Sequence, residues 1–135
     1  MIILDTGPLV AFLSKRDKYH SWAYNQFQEN PFPFITSESV VSEAVFFLQT
    51  QPEQIKNLHD LFALGAIEVA FNFHPEADAI FQLLKKYKDT PMDLADACLV
   101  RLAELHPKSK ILTLDSDFTV YRKHRNKTLD VIMPE

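Results

Sequence analysis

The segments Met1-Ile2-Ile3-Leu4 and Ile111-Leu112-Thr113-Leu114 run straight into acids, Asp5 in the first case and Asp115-Ser116-Asp117 in the second. Short apolar stretches of this kind suit strands covered on both faces, the setting of central strands in a parallel sheet. Apolar residues at helical spacing predict helices from Pro8 to about Leu13, about His20 to Glu29, Ser37 or Ser39 to about Gln49, Pro52 to a stop at Gly65, Pro75 to about Tyr87, and Pro91 to about His106. Phe34-Ile35, Ile67 to Phe71 and Leu129 to Ile132 read as further strands. Strands interleaved with helices specify an α/β domain with a mostly parallel central sheet. At 135 residues the expectation is one domain spanning 1–135, with a core that needs neither disulfide nor structural metal.

In an open parallel sheet, ligands bind beyond the carboxyl ends of the strands, so Asp5 and Asp115 stand where chemistry is expected. Asp93 and Asp96 lie three residues apart and share a helix face. Glu43 interrupts the apolar stripe between Val40 and Phe47. Carboxylates gathered in one cleft repel one another and lose hydration, so protons or cations must neutralise them. Hard oxygen donors favour Mg²⁺ or Mn²⁺, ions that bind phosphate and lower the pKa of a bound water. The pattern therefore reads as metal-assisted phosphoryl chemistry.

Composition excludes several other chemistries. Two glycines leave no phosphate-cradling glycine-rich loop. The single cysteine, Cys98, rules out an intramolecular disulfide and a cysteine-rich zinc site, and suits a reducing cytoplasmic home. His20, His59, His74, His106 and His124 show no paired ligand spacing. No apolar run, Ala44 to Leu48 included, comes near the roughly 18 residues of a membrane span, and nothing at the first residues reads as a secretory signal. A net charge of −4 argues against a protein held on nucleic acid by bulk positive charge.

Leu4-Asp5-Thr6-Gly7-Pro8-Leu9-Val10, Ser42-Glu43-Ala44, Asp93-Leu94-Ala95-Asp96-Ala97 and Leu112-Thr113-Leu114-Asp115-Ser116-Asp117-Phe118 resemble, in order, the four acidic motifs of the PIN-domain family, especially the VapC-like ribonuclease toxins of bacterial toxin–antitoxin pairs. The resemblance spans nearly the whole chain. It implies a three-layer α/β/α PIN-like fold, a Mg²⁺- or Mn²⁺-dependent endoribonuclease acting on RNA, frequent homodimers and often a small antitoxin partner. Carried over by position, Asp5, Glu43, Asp96 and Asp115 form the metal-holding acidic quartet, with Asp5 and Asp96 foremost as direct ligands and Asp117 an accessory or substitute for the fourth acid. Thr6 and Thr113 orient the carboxylates or bound water through their hydroxyls.

Plainer roles stand beside these. Asp5 and Asp93 suit helix N-caps, and Asp115 and Asp117 an Asx turn. Cys98 and most of the aromatics, Phe27, Phe32, Phe34, Phe46, Phe47, Phe62 and Phe81, read as core; Phe12, Tyr19, Trp22 and Tyr24 suit a dimer face or base stacking. Among three basic runs, the one holding Arg122, Lys123 and Arg125 follows the last acidic motif and is the preferred RNA-phosphate contact. Two alternatives remain at this level: a non-catalytic PIN-like binding or assembly module, and a homodimeric aspartic protease suggested by Asp5-Thr6-Gly7.

Overall fold

The chain was described throughout, Met1 to Glu135, by a computed structural model. Its strands are β1 (Ile2–Leu4), β2 (Phe34–Thr36), β3 (Ile67–Val69), β4 (Lys110–Leu112), β5 (Arg122–Lys123), β6 (Lys127–Thr128) and β7 (Val131–Ile132). The helices are α1 (Thr6–Leu13), α2 (His20–Glu29), α3 (Glu38–Leu48), α4 (Pro52–Ala63), α5 (Phe73–Lys86) and α6 (Leu94–Leu105), with a short 3-10 turn at Ser116–Thr119. Five strands form one parallel sheet in the order β3-β2-β1-β4-β7, and β5 and β6 make a separate antiparallel hairpin. The sheet is flanked by the six helices in an α/β/α arrangement, which is the expected fold class.

All three residues of β1 are buried, as are Phe34, Ile111 and Leu112 beside them, so the sheet centre is apolar on both faces. The chain moves from β1 outward through β2 and β3, then returns to add β4 and β7 on the other side of β1. The reversal point therefore falls between β1 and β4. Their register pairs Ile3 with Ile111 and Leu4 with Leu112, and the Asp5 N–H closes the ladder on the Leu112 carbonyl at 3.0 Å. Asp5 and Asp115 consequently emerge at the same end of the sheet.

Several details differ from the sequence reading. Helix α1 begins at Thr6, with Asp5 as its cap, so Pro8 is the third helical residue rather than the first; it still lies in the first turn, where its missing N–H goes unused. Pro91 and Met92 precede α6 instead of opening it, because Asp93 caps the helix. Strand β4 stops at Leu112, leaving Thr113 and Leu114 to the loop. On α3 the buried stripe is Val40, Ala44 and Leu48. Five consecutive apolar residues cannot share one helix face, so Phe46 and Phe47 are 66% and 60% exposed rather than core. Phe32 and Phe81 are likewise exposed. The all-β aspartic protease reading is overturned by the parallel sheet and six helices.

Candidate active site

A cleft of about 740 Å³ opens beyond the ends of β1 and β4. Its lining includes Asp5, Asp17, Glu43, Asp93, Asp96, Asp115 and Asp117, and no Lys, Arg or His. Four separate segments deliver the acids of the sequence motifs: the β1–α1 junction, α3, the start of α6 and the loop after β4.

Asp5 is 8% exposed. As the α1 cap it accepts the Thr6 N–H on Oδ1 at 2.8 Å, and Oδ2 accepts the Thr113 hydroxyl at 2.7 Å. The Thr113 oxygen in turn accepts the Asp115 N–H at 2.9 Å, so one hydroxyl ties the loop after β4 to the carboxylate after β1. The Thr6 hydroxyl donates to Glu43 Oε1 at 2.9 Å and holds the α3 acid against the start of α1. At α6, Asp93 Oδ1 accepts the Asp96 N–H at 2.8 Å while Asp96 Oδ2 accepts the Asp93 N–H at 3.2 Å, a reciprocal capping box that fixes both carboxylates at the cleft wall. Asp115 caps the 3-10 turn by accepting the Asp117 N–H at 2.9 Å. Capping and cleft lining are thus performed by the same side chains.

Burial leaves a clear electrostatic mark. Desolvation pushes Asp5 up to about 6, against the pull of the Thr113 and Thr6 hydrogen bonds and with further repulsion from Asp115 and Glu43. Asp96 is pushed up to about 7, chiefly by desolvation and then by the neighbouring charge of Asp93. The Tyr121 phenol is held well above its ordinary value by burial and by Asp96. No three His, Cys, Asp or Glu side chains close round a common point. Each acid of the quartet is instead held by a cap or a hydroxyl, which keeps like charges apart.

Sequence reasoning passed over two residues, Asp17 in the cleft lining and Tyr121 behind it. Asp17 sits in the polar run Ser14 to Lys18, where periodicity says nothing about direction, and its Oδ1 accepts the Tyr19 N–H. Tyr121 donates its hydroxyl to the Pro91 carbonyl at 2.7 Å and reaches Asp96 Oδ2 at 3.3 Å. Its place four residues after Asp117 was the available clue. Arg122, Lys123 and Arg125 are not brought into the cleft lining. Cys98 is buried in α6 with its thiol pushed up by burial, in keeping with packing.

Fold and cleft together define a doubly wound parallel α/β protein with an acid-lined site at its topological switch point. The chain belongs to the PIN domain family, whose family model matches residues 2–124. Ribonuclease VapC26 of Mycobacterium tuberculosis is 28% identical over 117 residues, covering 84% of this chain and 86% of that protein. The crystal structure of VapC20 from the same organism, described as a toxin that cleaves the sarcin–ricin loop, matches with a TM-score of 0.76. That match holds at 16% identity over 89% of this chain and 94% of the other.

Proposed function

We propose that residues 1–135 form one PIN-like nuclease domain that hydrolyses RNA phosphodiester bonds with Mg²⁺ or Mn²⁺, acting in the cytoplasm as the toxin of a toxin–antitoxin pair. The carrying observation is the cleft lining, in which seven carboxylates meet no basic side chain. The names of the matched relatives, a ribonuclease and an RNA-cleaving toxin, support the same reading.

The donor chemistry fits a hard divalent cation. The cleft acids and hydroxyls offer hard oxygen donors, and desolvation raises two of the carboxylates with no basic side chain in the lining to offset it. Asp5 and Asp96 would hold the ion, with Glu43 and Asp115 beside them and Asp117 as accessory. When bound, the ion supplies charge neutralisation at the phosphate and acidifies the attacking water. The chain's own residues then orient and accept. Thr113 fixes the Asp5 carboxylate, and Thr6 fixes Glu43 through Oε1, leaving Oε2 free to take a proton from water. Water oxygen bonds to phosphorus with its proton passing to Glu43, the bond from phosphorus to the ribose oxygen breaks, and that oxygen takes a proton from solvent as it leaves.

RNA cleavage is expected with Mg²⁺ or Mn²⁺ present, to vanish in EDTA and to return when Mn²⁺ is added back, with casein untouched throughout. Cleavage that persists in EDTA overturns the metal requirement. Metal binding without cleavage of any RNA favours the non-catalytic module. Thr113→Val removes the donor to Asp5 Oδ2 and the acceptor of the Asp115 N–H together. Mn²⁺ affinity measured by calorimetry should then fall about 10- to 100-fold, the usual consequence of removing such a support.

A homodimer is part of this reading, because Phe46, Phe47 and Tyr24 stand largely exposed while Trp22 is half-buried. Light scattering should show twice the 15.6 kDa chain mass at micromolar concentration. A monomer under those conditions contradicts it. No helix is long and apolar enough to cross a membrane.

A further inference from the structure

Seven of the chain's 14 Lys and Arg residues fall in two short segments, 85–88 and 122–127, and the fold brings these segments together. The Lys86 Nζ donates to the Arg125 carbonyl at 2.6 Å, and the Tyr87 hydroxyl accepts the Arg122 N–H at 2.8 Å. A cavity of about 240 Å³ lies between the end of α5 and the β5–β6 hairpin. Its one acid, Glu104, is already engaged by Arg101 and by the His124 N–H.

Beside Lys86, held on the Arg125 carbonyl, the other six cations of the two segments divide into two groups. Arg122 is turned back onto the carbonyls of Thr119, Val120 and Tyr121, and Lys123 is buried with its Nζ on the Pro107 carbonyl at 3.0 Å. These two shape the hairpin. Lys85, Lys88, Arg125 and Lys127 are exposed and have no carboxylate within ion-pair distance. Arg125 is presented at the hairpin tip, where it and His124 take φ values of 74° and 48°, a conformation that histidine adopts more readily than arginine.

The patch is also continuous with the cleft. Tyr121, immediately before β5, bonds Pro91 and reaches Asp96, both of them cleft residues. Lys88 precedes Pro91 by three residues, which limits their Cα separation to roughly 10 Å. A cleft whose charged lining residues are all acids repels every phosphate except one that a cation bridges, so affinity for the rest of a polyanion has to arise elsewhere.

Resting on the ribonuclease reading above, we propose that Lys85, Lys88, Arg125 and Lys127 form an exosite for the sugar–phosphate backbone of single-stranded RNA, holding the strand as it leaves the acidic cleft. The phosphate-contact role expected of Arg122 and Lys123 passes to the free cations around them, and Arg125 keeps it.

The test neutralises all four: Lys85→Gln, Lys88→Gln, Arg125→Gln and Lys127→Gln in one protein. A matched control carries Lys15→Gln, Lys56→Gln, Lys108→Gln and Lys110→Gln, four exposed lysines outside the two segments. Binding of a single-stranded RNA oligonucleotide is followed by fluorescence anisotropy across a KCl series, with Asp96→Asn added to each protein to prevent cleavage. The exosite variant should bind at least about tenfold more weakly at low salt, and its slope of log affinity against log salt should fall by about 3, near 0.7 for each phosphate that no longer meets a cation. With Asp96 intact, KM for a long RNA should rise while kcat and cleavage of a trinucleotide stay unchanged. Unchanged affinity and slope overturn the proposal, as does an equal weakening in the control. Binding of polyglutamate by the patch, with RNA affinity untouched by the substitutions, assigns it to an acidic protein segment and also overturns it. Failure of the wild type to cleave any RNA defeats the ribonuclease reading by itself, while the binding measurements still report on the patch.

Discussion

Asp96→Asn protein is expected to cleave RNA at least about a hundredfold more slowly than wild type in Mg²⁺ or Mn²⁺, and to melt at a clearly higher temperature in metal-free buffer at about pH 7.5. The two halves of this result have different physical origins. Asparagine keeps a carbonyl oxygen that can still accept the Asp93 N–H and stay near the Tyr121 hydroxyl, so the capping box and the start of α6 survive. What disappears is a charge pressed by desolvation and by Asp93, Asp5 and Asp115. Its removal relieves repulsion in the absence of a cation and, on the function proposed above, deletes a ligand in its presence. Asp93→Ala serves as the contrast, because it removes the N-cap acceptor of α6 and should cost about 1 kcal/mol of stability. An Asp96→Asn protein that is destabilised yet fully active would reduce Asp96 to a capping residue. Activity assays and thermal melts on the same preparations separate the cases.

The sheet was readable from sequence because its central strands are buried on both faces, leaving continuous apolar runs that end abruptly in acids. The same logic located Asp5 and Asp115, since a parallel sheet puts strand ends on one side. Asp96 was readable through the small residues around it, Ala95, Ala97 and Cys98, all buried. Glu43 carried no such local mark and depended on the company of the other motifs, while Asp93 read first as a helix cap, the role it has in the capping box. What the sequence hid follows from distance in the chain. The bond from Thr113 to Asp5 spans 108 positions, and that of Tyr121 to Asp96 spans 25, so neither leaves a periodic trace. The β5–β6 hairpin was missed because its strands are two residues long and almost wholly basic, with no alternation to read. Phe46 and Phe47 were misplaced because an apolar run on a helix says how hydrophobic the segment is, and leaves open which members face inward.

Between about pH 4 and pH 7 the metal-free protein should lose stability as pH rises, and Asp5→Asn should remove a large part of that loss. An Asp side chain in the unfolded chain gives up its proton near 3.8, whereas folded Asp5 keeps its proton up to about 6. Over that interval the folded state binds more protons than the unfolded state, so raising the pH favours unfolding. The penalty is absent at acid pH, grows through the interval and is complete above about pH 7. A displacement of roughly 2 pH units corresponds to about 3 kcal/mol, or about 10 °C of melting temperature in a domain of this size. Asp96 contributes in the same direction, with its proton held up to about 7. Asparagine at position 5 keeps one acceptor oxygen to cap α1, while its amide N–H can donate to the Thr113 hydroxyl where the carboxylate accepted from it, so the pH dependence of the melting difference between wild type and Asp5→Asn reports the carboxylate charge. That difference should be small at pH 4 and widen steadily, in favour of the mutant, up to pH 7.5. Mn²⁺ added at pH 7.5 should raise the melting temperature of the wild type and leave Asp5→Asn nearly unmoved, because a bound cation stabilises the ionised form that burial opposes. A melting difference that does not vary with pH would place the Asp5 carboxylate in a solvated setting and remove the electrostatic reason for a cation at the end of β1.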